Sequence, residues 1–99
     1  MLEKIKNALR IKHNLLDDDI QDSISEARAE MLRSGVAKEV AESDHVLVKA
    51  AIKTYCLANF SSDSDMAEGY QKSWQYQLDN LRKSTIVIET QEEEGAVDA

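Results

Sequence analysis

Nucleophiles, metal ligands and proton carriers are few in this chain, and none is spaced for a reaction. Two histidines, His13 and His45, stand apart in or beside polar stretches that read as loops. A zinc site needs three or four converging ligands; these two and Cys56 are the only His or Cys candidates, at no ligand-like spacing. Both histidines are therefore expected at the surface. Cys56 falls in an apolar helical stretch, where a thiol packs as a small hydrophobe rather than reacting. It is the single cysteine, so no internal disulfide forms, as in a reducing compartment. Asp17, Asp18 and Asp19 could face a cation, but the glycine turn and distal glutamate of a calcium loop are missing. Capping of a helix start accounts for these three carboxylates. Neither a glycine-rich phosphate loop nor a GxSxG turn occurs. Tyr70 and Trp74, four apart, read as core. The chain is expected to be no enzyme, with no cofactor and no metal.

Charge narrows the partners. Of the net charge of −7, five units sit on Glu89, Glu92, Glu93, Glu94 and Asp98, in a stretch from Ser84 onward without Lys or Arg. The N-terminal end is basic instead, with Lys4, Lys6, Arg10 and Lys12 against Glu3. Phosphate binding rests on clustered Lys and Arg, so overall acidity argues against nucleic acid as the main ligand. The basic end reads as a solvated helix end, with a DNA contact as the alternative. No apolar run approaches the roughly 20 residues of a membrane span. The opening MLEKIKNALRIK has no apolar h-region, so no secretory signal is expected.

These side chains are carried by long helical periods. Leu2, Ile5 and Leu9 share a face of a short first helix, which must pack on the body to persist. Leu16, Ile20, Ile24, Ala27 and Met31 form one stripe on a helix from the acidic run to about Ser34, with Gly35 at its left-handed end and Val36 folding back. A third helix starts at Ser43 or Asp44 and is apolar on nearly every side from Val46 to Phe60, with Lys49, Lys53, Thr54 and Asn59 as its polar strip. Such a helix is either the central rod of the domain or partly covered by a neighbouring subunit. A fourth follows Ser61 to Ser64, with Asp65 and Glu68 spaced as a capping box and Tyr70, Trp74, Leu78 and Leu81 as its stripe. Tyr76 lies off that stripe. With Lys49 and Lys53 it is a candidate subunit or partner contact. Gly69 permits a close helix approach or is merely tolerated.

The fold expected is all-α: a small bundle of three main helices plus a short N-terminal helix, over residues 1–83. An extended acidic arm follows over residues 84–99. Thr85, Ile86, Val87, Ile88 and Glu89 have strand chemistry with no local strand to pair with. Such an arm suits a partner's sheet edge or groove, or it folds back on its own body.

At these residues the sequence resembles the head–tail connector (adaptor) family of long-tailed bacteriophages. The likeness runs through the short helix ending Leu9-Arg10-Ile11, the acidic start at Asp17 with Ile20, Ile24 and Ala27, and the stop at Gly35. It includes the helix carrying Ala51, Tyr55, Asn59 and Phe60, and covers roughly Leu2 to Lys83. The resemblance implies a structural virion protein at the head–tail interface, made in the bacterial host cytoplasm. It implies a ring of copies, a dodecamer in the virion, beneath the portal after DNA packaging. The ring would receive the tail-joining (stopper) protein, and DNA would pass through it without sequence-specific binding. In relatives the C-terminal arm grips the portal, which maps onto Ile86 to Ile88. The alternative class is a small helix-turn-helix regulator binding DNA through the basic end.

Overall fold

The computed structural model describes residues 1–83, which form five helices. The arm, with Thr85, Ile86, Val87, Ile88 and Glu89, lies outside the described residues. Helix α1 spans Leu2–Leu9, α2 Asp17–Arg33, α3 Lys38–Ala41, α4 Val46–Phe60 and α5 Ser64–Lys83. The three main helices and the short first one are those the periodicity predicts. The single turn α3 falls in what the sequence presents as a polar link; Val40 and Ala41 are its buried residues.

Two helices stop by the same device. At the end of α2, Val36 N–H donates to the Met31 carbonyl at 2.9 Å and Gly35 N–H to Leu32 at 3.1 Å, with Gly35 at φ 104. This pair of reversed bonds satisfies carbonyls that the helix leaves free, and Val36 is buried over the end as expected. At the end of α1, Ile11 N–H reaches Lys6 and Arg10 N–H reaches Asn7, at 2.9 and 3.1 Å. Here the left-handed position is filled by Arg10 at φ 61, a conformation that L residues with a Cβ adopt at a cost of about 1–2 kcal/mol.

The helix starts differ from expectation. Leu16 occupies the N-cap of α2 with no side-chain cap bond, so the three aspartates do not cap the helix. They act through its dipole instead, as carboxylates in the first turn. Helix α4 is capped by His45, whose Nδ1 accepts from Leu47 N–H at 3.1 Å, rather than by Ser43 or Asp44. Helix α5 is capped by Asp63, whose Oδ1 accepts from Asp65 and Met66 N–H at 2.9 and 3.1 Å. The helix therefore begins two residues earlier than a cap at Asp65 would require. An ideal Cβ at Gly69 meets nothing within 4 Å, so that glycine serves no close approach.

Helix α4 is the central rod. It packs against α1, α2 and α5, burying Val48, Ala51, Ile52, Cys56 and Leu57. Ile20, Ile24, Ala27 and Met31 come from α2, Ile5 from α1, and Trp74, Leu78 and Leu81 from α5. Tyr70 joins the α5 stripe only in part. Burial of each such aliphatic or aromatic side chain contributes about 1.5–3 kcal/mol before chain entropy is set against it.

Polar groups fasten the helices at three points. Arg28 Nη1 donates to the carbonyls of Ala41 and Ser43 at 2.9 and 2.7 Å, closing the end of α3 onto α2. Asn59 donates to the buried Ser23 hydroxyl at 2.8 Å, joining α4 to α2. Lys6 of α1 is buried: its ammonium donates to Asn14 Oδ1 at 2.8 Å and stands 2.8 Å from Asp17 Oδ1. The N-terminal basic end is thus not uniformly solvated, because Lys6 is turned inward to hold α1 on α2.

Candidate interaction site

Helix α4 is not covered on every side. Its first turn leaves Val46 69% and Leu47 54% exposed, a large apolar surface on a helix start. Beside it a groove opens between α1 and α4. Met1, Ile5, Val46 and Ala50 supply its apolar wall, and Lys4, Lys49 and Lys53 its cationic rim. The spacing of Val46, Lys49, Ala50 and Lys53 places all four on one face of α4. None of the three lysines is ion-paired among the described residues.

A second cleft lies between α4 and α5. Tyr55 and Trp74 meet edge to face there, with ring centroids 4.8 Å apart and planes at 64°. Glu68, Gln71 and Lys72 form part of its polar border. The Tyr55 hydroxyl lies 3.4 Å from Glu26 Oε1, and burial, with the Glu26 charge second, pushes its pKa above the ordinary value. Burial likewise raises the Cys56 thiol, only partly opposed by the Ser23 hydroxyl beside it. A buried thiol held in its neutral form is a packing group rather than a nucleophile. Among the described residues no three His, Cys, Asp or Glu come together as a metal site. His13 is exposed, but His45 is half-buried in its capping role.

The structure brings Lys49 and Lys53 to one groove and leaves Tyr76 elsewhere. Tyr76 is 70% exposed on α5, as its position off the stripe predicts, and lines neither concavity. Sequence reasoning missed Lys4, Val46 and Ala50 as companions of the α4 lysines. The signal available was the i, i+3, i+4, i+7 spacing from Val46 to Lys53; the docking of α1 alongside is tertiary.

Both concavities pair an apolar wall with a polar or charged border. The family model described as "Phage connector protein" matches residues 1–93. The chain belongs to the phage connector family. The match runs ten residues past the end of α5 at Lys83. The connector is a structural protein of the bacteriophage head–tail junction, acting by association with other phage head and tail proteins. No curated protein and no solved structure matches the chain. No helix among the described residues is long and apolar enough to cross a membrane.

Proposed function

We propose that copies of this connector form a ring joining the portal of the phage head to the tail-joining (stopper) protein after DNA packaging. The observation that carries the reading is membership of the connector family together with the uncovered start of α4. A core this small is marginal alone, and contact between copies is the usual remedy for exposed apolar surface. Head-to-tail contacts between identical copies close into a ring when the rotation per subunit permits. Thr85 to Glu89 serve as the portal-gripping segment: three aliphatic side chains contribute about 1.5–3 kcal/mol each on burial, enough to order a short stretch of backbone. Tyr76, Lys49 and Lys53 are subunit or partner contacts.

The burial of Lys6 weighs against a DNA-binding regulator, because it removes one cation from the basic end. The test is a pull-down on purified portal with the full chain and with Ile86→Asp/Ile88→Asp. The native chain is expected to be retained and the variant lost. Equal retention of both would remove the arm from the portal contact. Retardation of duplex DNA by the native chain, with no portal binding, would favour the regulator.

A further inference from the structure

We infer that the groove between α1 and α4 receives residues 85–94 of its own chain. The groove offers an apolar wall at Met1, Val46 and Ala50 under a rim of Lys4, Lys49 and Lys53. The segment has the opposite pattern: Ile86, Val87 and Ile88, then Glu89, Glu92, Glu93 and Glu94, with no Lys or Arg. Aliphatic groups match the wall, and the carboxylates that follow match ammonium groups that make no ion pair among the described residues. An anionic apolar ligand of this kind is what such a groove selects.

Reach supports the same occupant. Tyr55 and Trp74 stand against each other where α4 and α5 pack, and only Ser61 to Asp63 connect the two helices. They are therefore antiparallel, with equal rise per residue. Nine residues back from Tyr55 is Val46, and nine on from Trp74 is Lys83. The end of α5 is thus level with the first turn of α4, where the groove opens. An extended chain covers about 3.3 Å per residue, so Ile86 to Ile88 fall within roughly 10–17 Å of that end. In extended form Ile86 and Ile88 share a side about 6.6 Å apart, close to the roughly 6 Å between Val46 and Ala50 along their helix. Glu89 then follows beside Lys49 and Lys53. This docking concerns the free monomer: a neighbouring copy that contacts Val46, Lys49 or Lys53 in the ring, or a portal that captures residues 85–89, would first displace the segment from the groove.

The test uses the full chain at micromolar concentration, with Val87→Cys paired either with Ala50→Cys in the groove or with Asn80→Cys. Asn80 is exposed and one turn from the start of the segment; the native Cys56 is buried. Under mild oxidation the Ala50→Cys pair is expected to close within one chain about tenfold faster, because docking raises the local concentration. Adding Lys49→Glu and Lys53→Glu should abolish that advantage and leave the Asn80→Cys pair unchanged. Salt at about 1 M, where charges are screened beyond about 3 Å, should do the same without any substitution. Equal rates for the two pairs, a rate indifferent to both charge reversal and salt, or products only between chains would overturn the inference. Failure of portal binding would leave these rates untouched.

Discussion

Removing either partner of the Lys6–Asp17 pair should destabilise the connector unequally, because the two charges are unequally buried. The Lys6 side chain is 5% exposed and that of Asp17 29%. In Lys6→Met, the rest of the Asp17 carboxylate keeps water on one side and a helix N-terminus behind it, which favours a negative charge, but its enclosed Oδ1 loses the ammonium beside it. The methionine fills the space of the lysine stem. The expected cost is about 1–2 kcal/mol, that of one lost hydrogen bond to Asn14, a partly solvated ion pair and one enclosed carboxylate oxygen left alone. In Asp17→Asn, an ammonium group stays inside with only the Asn14 oxygen and a second neutral amide beside it. Breaking a buried pair this way costs about 3–5 kcal/mol when burial is complete, and about 2–3 here because Asn14 still accepts. The double variant should resemble Lys6→Met alone, giving a coupling of about 2–3 kcal/mol, the whole cost of Asp17→Asn. Urea unfolding followed by Trp74 fluorescence measures all three. With a slope of about 1–3 kcal/mol per molar, Asp17→Asn should move the midpoint by about 1 M or more. If Asp17→Asn costs no more than Lys6→Met, the inward turn of Lys6 does not hold α1 to α2 and the reasoning fails.

Three further substitutions separate core, backbone and surface. Trp74→Ala deletes a buried aromatic from the α4–α5 seam and should cost about 3–5 kcal/mol in the same unfolding assay. Tyr76→Ala should leave unfolding nearly unchanged while weakening self-association or partner binding by about 1–2 kcal/mol, read by sedimentation or titration calorimetry. Gly35→Ala should lower stability by about 1 kcal/mol through its left-handed backbone alone, since an added Cβ there meets nothing within 4 Å. A thermal melt should show it as a drop of about 4–8 °C.

The helices were legible because their evidence is periodic. Ile20, Ile24, Ala27 and Met31 repeat at spacings that no other structure buries on one side, and Gly35 marks a stop that its backbone angle then requires. Trp74, Leu78 and Leu81 declare α5 in the same way, and Tyr76 is exposed because it departs from them. Where a role depended on one atom finding another, periodicity had nothing to say. Lys6 looks like its solvated neighbours until α1 is laid on Asn14 and Asp17. Arg28 reads as a surface residue until α3 turns its carbonyls toward it. The caps at His45 and Asp63 lie one or two residues from the sites that Asp44 and Asp65 suggest, since competing polar residues crowd both starts. The groove was half visible: the α4 lysines could be named, but its α1 wall is brought there only by the packing of Ile5.

For a protein proposed to act by assembly, the mass of the particle formed by the full chain is the most direct test. Mass photometry should be run on the connector alone across a concentration series, and again with purified portal. A closed oligomer is expected, formed either with rising concentration or on the portal as template, with a stoichiometry set by ring closure. A strict monomer under both conditions would contradict it.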